Sequence, residues 1–208
     1  MRPEKFGILL IVSGPSGAGK STICKALRKK DPKLHFSVSC TTRAPRKGEK
    51  DGIEYYFISQ ADFKKKIQSG AFLEHAKVHS NYYGTLKSEV ISRIRSGIDV
   101  LLDIDVQGAM QIKKNADRDK LLSKCIETVF IAPPSFEELE KRLRSRATDS
   151  ESVIRERLSH AKKELDFWKE YDYLMVNRKL DDTIADMLNL KDAIHKKTCR
   201  FKDSGFYG

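Results

Sequence analysis

The sequence predicts an α/β fold in three layers, with helices on both faces of a central parallel sheet. Candidate strands and helices alternate along most of the 208 residues, and this alternation is typical of parallel sheets that are covered on both faces. A glycine-rich loop joins the first strand to the first helix, as such folds require for phosphate binding. With 39% hydrophobic residues spread along the chain, a single domain of this length can bury a core.

Periodicity and turn residues give the bounds of each element. The candidate strands are Phe6–Ser13, Phe36–Cys40, Tyr55–Ile58, Phe72–Val78, Val100–Asp105, Thr128–Ile131 and Tyr173–Val176. The candidate helices are Ser21–Lys30, Ala61–Ser69, Lys87–Ser96, Gln107–Lys114, Phe136–Arg146, Glu151–Glu170 and Asp182–Lys197. Ser135 precedes Glu138 by three residues and predicts a capping box at the start of one helix.

Three segments depart from the alternation. Residues 42–96 combine short strands with many tyrosines and polar residues, and we interpret them as an inserted subdomain. The polar stretch from Ser145 to Ser152 is interpreted as a mobile flap. The tail from Cys199 to Gly208 has no periodicity, and we expect it to be partly disordered.

The strongest motif is G-x-x-x-x-G-K-[ST] between the first strand and the first helix. Its residues are Gly14, Pro15, Ser16, Gly17, Ala18, Gly19, Lys20 and Ser21, and Thr22 follows in the helix. The glycines allow a tight loop whose backbone N–H groups point at one anion, together with the positive end of the helix. Lys20 can then reach the β- and γ-phosphates of a nucleoside triphosphate, and the Ser21 hydroxyl can ligate Mg²⁺. The sequence therefore predicts a nucleotide-binding site.

Two acids end the strand Val100–Asp105. Residues two apart share a strand face, so Asp103 and Asp105 are expected at the carboxyl edge of the sheet, where open α/β sheets bind ligands. Carboxylates there can hold Mg²⁺ through water or accept hydrogen bonds from a substrate. A solvated strand end is the alternative, and the nearby phosphate-binding motif favours function.

Arginines cluster in two places. Arg43 and Arg46 flank a proline and can clamp a phosphate through planar guanidinium groups, although a basic solvated loop is an equal alternative from these residues alone. Arg142 and Arg146 share one helix face before the flap, and Arg157 follows on the next helix. Arginines beside a flap are suited to phosphoryl transfer, because they neutralise the charge on the transferred group while the flap excludes water.

Charge and cysteine content restrict the partners and the compartment. The formal net charge of +11 predicts anionic partners, either nucleic acid or small polyphosphates, and no nucleic-acid recognition motif is visible. The first apolar run is too short to cross a membrane and flows directly into the phosphate motif. Four widely spaced cysteines suit reduced thiols: Cys24, Cys40, Cys125 and Cys199. We expect a cytoplasmic protein without membrane or nucleic-acid partners.

An ordered set of motifs resembles the guanylate kinase family. These motifs are G-P-S-G-A-G-K-S-T, S-C-T-T-R-A-P-R-K-G-E, N-Y-Y-G-T, L-D-I-D-V-Q-G and I-A-P-P-S, and the resemblance runs from about Phe6 to about Leu190. It implies transfer of the γ-phosphoryl group of ATP to GMP with Mg²⁺, giving ADP and GDP. The division that it implies is a core (1–40, 97–141 and 160–198), a GMP-binding insertion (41–96), a lid (142–159) and a tail (199–208).

The resemblance also implies a role for individual residues. Lys20, Arg46, Arg142, Arg146 and Arg157 would be catalytic, and Asn177 would join residues 14–22 in binding ATP, near the adenine. GMP would be bound by Ser39, Arg43, Arg46, Glu49, Tyr55, Glu74, Tyr83, Thr85, Asp103 and Asp105. Glu74 would accept hydrogen bonds from guanine N1 and the 2-amino group, and Thr85 would lie on the O6 side. Ser21 would ligate Mg²⁺, with Asp103 acting through water.

Two other function classes compete with this interpretation. A non-catalytic interaction module of the same fold would be expected to lack phosphate-binding residues that are present here, and a sister kinase would act on a different phosphate acceptor. The sequence also departs from the family pattern in small ways. Cys40 stands where the family often has serine, so we hypothesise thiol sensitivity, and the polar segment Asn115–Cys125 is longer than usual. The oligomeric state does not follow from the sequence.

Overall fold

A computed structural model describes residues 4–78, 80–145 and 150–202 of the chain. The strands are β1 (Leu9–Ser13), β2 (His35–Phe36), β3 (Cys40–Thr41), β4 (Tyr56–Phe57), β5 (Phe72–Val78), β6 (Asn81–Leu86), β7 (Val100–Asp103), β8 (Ile126–Ala132) and β9 (Tyr173–Val176). The α-helices are α1 (Lys20–Lys30), α2 (Gln60–Gln68), α3 (Lys87–Arg95), α4 (Val106–Ala116), α5 (Lys120–Cys125), α6 (Phe136–Arg144), α7 (Glu151–Leu165) and α8 (Leu180–Ile194). Short 3₁₀ turns lie at Asp166–Glu170 and Thr198–Arg200.

The central sheet is parallel, with the strand order β2-β7-β1-β8-β9. All five residues of β1 are buried, because helices cover both faces of the sheet. Leu9 and Ile11 pack into one apolar cluster with α3, α4 and α5, whereas Leu10 and Val12 pack into a second cluster with α1 and α8. The predicted three-layer arrangement is confirmed, since alternate residues of one strand enter the cores of opposite layers.

A second sheet lies within the predicted insertion and has the order β4-β3-β6-β5. Its strands β5 and β6 are antiparallel, and β6 also pairs with β3. The small core beneath it includes Phe63, whose ring stacks on Phe72 at 4.4 Å and on Tyr82 at 5.4 Å between ring centroids. The predicted strands do not include β6, whose partners on both sides hold this polar segment as a strand.

Several predicted strands have different ends in the structure, and two of these differences affect the site. Phe36–Cys40 is not one strand, because His35–Phe36 pairs in the central sheet and Cys40–Thr41 pairs in the second sheet. The chain crosses between the two sheets over residues 37–39. The strand predicted as Val100–Asp105 ends at Asp103. Asp105 instead caps α4, and its carboxylate accepts a hydrogen bond from the Gly108 amide at 2.8 Å.

Three further segments can be compared with their expectations, and one of these expectations is wrong. The segment Asn115–Cys125 contains α5, which Asp119 caps by accepting hydrogen bonds from two backbone amides. The long helix predicted to reach Glu170 ends at Leu165 and continues as a 3₁₀ turn. Ser135 caps α6 as predicted, by accepting a hydrogen bond from the Glu138 amide.

The first residues of the tail, up to residue 202, pack against the rest of the protein. Arg200 is fully buried and donates hydrogen bonds to the carbonyl of Cys125 at 3.1 Å and to the carboxylate of Glu127 at 2.8 Å. The backbone of Phe6 donates to the carbonyl of Arg200 at 2.9 Å. The segment around Arg200 therefore pairs with the residues that precede β1. Residues 203–208 of the predicted tail lie outside the described residues.

Candidate functional site

The phosphate-binding motif forms a loop between β1 and α1. Gly19 has φ 98°, in the left-handed region, and a Cβ atom at this position would lie 2.4 Å from the side-chain nitrogen of Asn177. Only glycine fits both constraints. Asn177 lies behind the loop, where its amide nitrogen donates to the carbonyl of Ala18 at 2.8 Å. This hydrogen bond ties the loop to the residue that follows β9.

Lys20 and Ser21 follow the last glycine at the start of α1. The Lys20 ammonium donates to the carbonyls of Gly14 at 2.6 Å and Pro15 at 3.1 Å, which keeps it folded over the loop. The Ser21 hydroxyl donates to the carboxylate of Asp103 at 2.8 Å. The structure therefore brings together the two predicted magnesium ligands. Across the described ranges, no group of three or more His, Cys, Asp or Glu side chains could hold a metal ion.

A cavity of about 430 Å³ opens beside this loop. It extends from the loop to the second sheet, so the two sheets contribute to one site. Of the predicted residues, it is lined by Gly14, Ser16, Lys20, Ser21, Ser39, Tyr55, Glu74, Tyr83, Asp103, Asp105 and Arg157. Of the other loop residues, Gly17, Gly19 and Thr22 line a smaller recess of about 120 Å³ with Ser16, Lys20 and Ser21, whereas Pro15 and Ala18 line neither of these two spaces.

Glu74 is a buried carboxylate in the wall of the cavity, with 5% of its surface exposed. The antiparallel pairing of β5 and β6 places it opposite Thr85, whose hydroxyl donates to its Oε1 at 2.7 Å. Ser39 lies 3.3 Å from the same hydroxyl. A Cβ atom at Gly108 would lie 2.7 Å from the Oε2 of Glu74, so the glycine of α4 leaves room for this oxygen.

Burial raises the pKa of Glu74 to about 7, and the negative charge of Asp105 acts in the same direction. The hydrogen bond from Thr85 opposes this rise because it favours the charged form. A strongly shifted pKa in a cavity wall marks a candidate functional residue, and in its ionised form this carboxylate can accept paired hydrogen bonds. Thr85 is fully buried and does not line the cavity. Its position therefore suits it to orient Glu74 and not to contact a ligand directly.

The predicted arginine clamp is tied together by Glu49. The two terminal nitrogens of Arg43 donate to the two oxygens of Glu49 at 2.6 and 2.7 Å. The backbone amide of Arg46 donates to the same carboxylate at 2.7 Å. The hydrogen bonds from Arg43 lower the pKa of Glu49 to about 2. The Arg43 guanidinium also lies over the ring of Tyr55, at 5.1 Å from its centroid. These arginines and Glu49 do not line the cavity, whereas Tyr55 connects them to it.

The three predicted lid arginines have different surroundings. Arg142 donates to Glu138 at 2.9 Å and to the backbone carbonyl of Asn177 at 3.1 Å, so it is anchored behind the loop. Arg157 lines the cavity. Arg146 lies outside the described residues. Asn177 was expected near adenine, and its buried side chain is engaged with the loop.

Sequence reasoning missed two charged or titratable residues of the cavity wall, His160 and Glu164. Both lie on α7, three and seven residues after Arg157. Residues with this spacing share one helix face, so the position of Arg157 was a usable signal. Burial raises the pKa of Glu164, which lies close enough to Lys20 and Asp105 for their charges to affect it.

Comparison with known proteins identifies the family. A family model described as guanylate kinase matches residues 7–197. The guanylate kinase of Paramagnetospirillum magneticum is 50% identical over 182 residues, which cover 88% of this chain and 82% of that protein. The chain belongs to the guanylate kinase family. A guanylate kinase of Clostridium tetani is 43% identical over 198 residues, covering 95% of this chain and 91% of that protein.

The fold agrees with this assignment. The crystal structure of guanylate kinase from Anaplasma phagocytophilum matches with a TM-score of 0.78 and 33% identity, covering 97% of this chain and 93% of that one. The resemblance of the motifs to guanylate kinases is therefore confirmed, together with the predicted fold class. In the described part of this guanylate kinase family member, no helix is both long and apolar enough to cross a membrane.

Proposed function

We propose that the protein is an ATP:GMP phosphotransferase, which transfers the γ-phosphoryl group of ATP to GMP and gives ADP and GDP. The observation that carries the proposal is one cavity lined both by Lys20 of the phosphate loop and by the buried carboxylate of Glu74. The loop is suited to a polyphosphate and the carboxylate to a base with paired donors. Membership of the guanylate kinase family supports both the polyphosphate donor and the guanine-containing acceptor.

Guanine specificity follows from the chemistry of Glu74. Guanine presents two donors side by side, N1–H and the 2-amino group, and an ionised carboxylate can accept both. Adenine lacks the 2-amino group and has an acceptor at N1, so it would leave a buried carboxylate without partners. Such a loss is costly, and sites of this kind reject the wrong ligand strongly. Thr85 holds one carboxylate oxygen in position by its hydrogen bond.

The phosphate of GMP would lie toward the side of the cavity that Ser39, Tyr55 and Tyr83 line. Arg43 and Arg46 border this side through Tyr55 and Glu49. Both guanidinium groups would contact the phosphate after a local rearrangement, since Glu49 now holds Arg43. Glu49 would thus keep the arginine in place for its substrate. Asp105 borders Glu74 and would contribute to the base end of the site.

Chemistry requires no covalent enzyme intermediate. An oxygen of the GMP phosphate attacks the γ-phosphorus of ATP, and the bond to the β-γ bridging oxygen breaks, so that ADP leaves. Positioning and charge neutralisation supply the catalysis. Lys20 would neutralise charge on the β- and γ-phosphates, and Arg142, Arg146 and Arg157 would act on the transferred group. Because Arg142 is now anchored to Glu138, it would need to turn toward the nucleotide.

The donor set at the start of α1 fits Mg²⁺. The Ser21 hydroxyl and the Asp103 carboxylate lie 2.8 Å apart, and both are oxygen ligands, which Mg²⁺ prefers. When bound with ATP, the ion neutralises charge on the β- and γ-phosphates. Ser21 would ligate it directly and Asp103 through water. Oxygen from the nucleotide would complete the coordination.

We also propose the division of the chain given above: a core, a GMP-binding insertion at 41–96 and a lid at 142–159. The second sheet, formed by β3 to β6, supports the insertion. A reduced, cytoplasmic setting is proposed as well. It is supported by the four cysteines, which all lie within the described residues and are free thiols.

A coupled assay for ADP release tests the proposal, with ATP and Mg²⁺ and with GMP, AMP, UMP or CMP offered separately. We expect turnover with GMP alone among these acceptors. Lys20→Ala should lower turnover by orders of magnitude without unfolding the protein, and Lys25→Ala is a matched control on the exposed side of α1. A folded wild-type protein without turnover on any acceptor would instead support a non-catalytic interaction module.

A further inference from the structure

Helix α4 lies along the free edge of the second sheet. That sheet has the order β4-β3-β6-β5, so β5 is an edge strand with β6 on one side. A strand edge presents backbone N–H and C=O groups that need partners, and proteins often cover such an edge with a helix or a loop. On β5, side chains of α4 supply partners for three of these groups.

Gln111 provides two of these partners, both on His75. Its side-chain Oε1 accepts a hydrogen bond from the His75 amide at 3.2 Å, and its Nε2 donates to the His75 carbonyl at 2.8 Å. A side-chain amide carries the same kinds of donor and acceptor as a peptide group, so Gln111 pairs with β5 as one residue of a further strand would. One helical turn later, the side-chain nitrogen of Asn115 donates to the carbonyl of Leu73 at 3.3 Å.

These hydrogen bonds lie on both sides of Glu74. Leu73 and His75 are its neighbours in the chain, and α4 binds the backbone of both. The carboxylate of Glu74 also lies against this helix, because a Cβ atom at Gly108 would be 2.7 Å from its Oε2. Helix α4 therefore fixes the backbone around Glu74 and leaves room for its side chain.

Helix α4 is itself packed on the central sheet. Four of its buried residues belong to the apolar cluster that contains Leu9 and Ile11 of β1. These four are Val106, Ala109, Ile112 and Ala116. Because β1 leads directly into the phosphate loop, the contact between Gln111 and His75 joins the carboxylate proposed to bind guanine to the framework that carries the loop.

We propose that Gln111 is a positioning residue for guanine recognition: its paired hydrogen bonds to His75 hold Glu74 in the place that GMP requires. This inference rests on the proposed function, because it assumes that Glu74 binds guanine. A carboxylate accepts both donors of the base only when it is correctly placed, and binding groups need to be held within about 0.5 Å of the productive geometry. Without the amide of Gln111, the edge of β5 is free to shift relative to α4, and Glu74 shifts with it.

The test replaces Gln111 by methionine, which has a similar length and no amide. Gln68→Met is a matched control, since Gln68 is exposed at the end of α2. Dissociation constants for GMP and for Mg·ATP are measured separately by titration calorimetry. We expect Gln111→Met to bind GMP about tenfold more weakly, because small misplacements of a positioned group have effects of this order, and to bind Mg·ATP with unchanged affinity. Gln68→Met should bind both ligands like the wild type.

A double-mutant cycle separates positioning from general loosening of the fold. A residue that acts through Glu74 is not additive with it, so Gln111→Met should change the affinity for GMP by less than about twofold in a Glu74→Gln background. An equal loss in both backgrounds, or a loss of Mg·ATP affinity of the same size, would indicate general structural damage and overturn the inference. Unchanged GMP affinity of folded Gln111→Met would overturn it as well.

Amide hydrogen exchange at His75, followed by NMR in the nucleotide-free protein, tests the contact itself. Gln111 accepts from this amide, so exchange should be slow in the wild type and faster in Gln111→Met. Rapid exchange in the wild type would refute the inference alone, whereas a wild-type protein that binds no GMP would refute the proposed function.

Asn115→Leu keeps the inference testable where Gln111→Met does not fold. This variant removes the donor to the carbonyl of Leu73 and leaves the hydrogen bonds of Gln111 in place. We expect it to weaken GMP binding by about threefold, as the loss of one hydrogen bond implies, and to leave Mg·ATP binding unchanged. Unaltered GMP affinity of Asn115→Leu would contradict a positioning role for this face of α4.

Discussion

Replacement of Glu74 by glutamine should remove a pH dependence that the buried carboxylate gives to GMP binding. The pKa of Glu74 is raised to about 7 in the free protein, whereas hydrogen bonds from guanine require the ionised form. Binding must therefore release a proton below pH 7. The ionised fraction falls from about ten elevenths at pH 8 to about one eleventh at pH 6, so the dissociation constant should rise about tenfold, or 1.4 kcal/mol.

Calorimetric titration with GMP at several pH values, in buffers of different ionisation enthalpy, measures both the affinity and the number of protons released. The phosphate of GMP titrates as well, with a second pKa of about 6, and its contribution has the same sign. Glu74→Gln retains that contribution and loses only the carboxylate. We expect the variant to bind GMP more weakly at pH 8, by about 1.5–3 kcal/mol for hydrogen bonds to a charged group, and with a smaller pH dependence.

The same shift affects the stability of the free protein. The folded state holds the Glu74 proton up to about pH 7, whereas the unfolded chain loses it near its ordinary, lower pKa. Between these values the folded state binds more protons, so the free energy of unfolding falls as pH rises. The total loss is about 3 kcal/mol, and Glu74→Gln should therefore be more stable than the wild type at pH 8. Equal pH slopes for the two proteins, in binding and in unfolding, would refute the reasoning.

Two further predictions concern other parts of the chain. A thiol reagent should modify exposed Cys199 first and leave activity intact, because Cys40 is buried and burial raises its pKa to about 11; rapid inactivation that Cys40→Ser prevents would contradict this. Arg200→Met should lower the free energy of unfolding by about 3–5 kcal/mol, since it leaves the buried Glu127 carboxylate with Lys197 as its remaining cationic partner. Urea denaturation measures the loss, and adding Glu127→Gln should restore part of it; no recovery would contradict the charge argument.

The thiol prediction reverses an expectation from the sequence. Cys40 stands beside the phosphate clamp in the motif, which suggested sensitivity to thiol reagents. The structure places it in the small core of the second sheet with Phe63 and Phe72, and an apolar surrounding disfavours the thiolate that reacts. Proximity in sequence to a binding motif therefore gave no information about exposure.

The main elements and the phosphate loop could be predicted because each depends on a local pattern. Periodicity located β1, and the glycine spacing located the loop, since backbone conformation alone requires those residues. The carboxylate of Asp105 illustrates the limit. It lies two residues from Asp103, which suggested a shared strand face, yet it caps α4 through the Gly108 amide. Whether Asp105 extends the strand or caps a helix depends on the residues that follow it, and here they form the first turn of α4.

Long-range pairing explains the other failures. Thr85 and Glu74 meet because β6 pairs with β5 in a register that puts them opposite each other, but the polar sequence of β6 does not indicate a strand. A hydroxyl and a carboxylate eleven residues apart therefore form a buried hydrogen bond that no local rule predicts. Glu164 was missed for a related reason, because its place in the cavity wall brings α7 into one site with a loop that lies far from it in sequence.

Asn177 contacts the phosphate loop, α6 and α8 at once. Its side chain donates to the carbonyl of Ala18 and accepts from the hydroxyl of Thr183 at 3.3 Å, while its backbone carbonyl accepts from Arg142. Asn177 therefore ties the Ala18 carbonyl of the loop to both α6 and α8. Because Gly19 has no Cβ, this amide can approach the loop closely. The phosphate loop thus depends on a residue that follows β9. The last glycine of the motif makes room for the side chain of Asn177, which is far away in sequence.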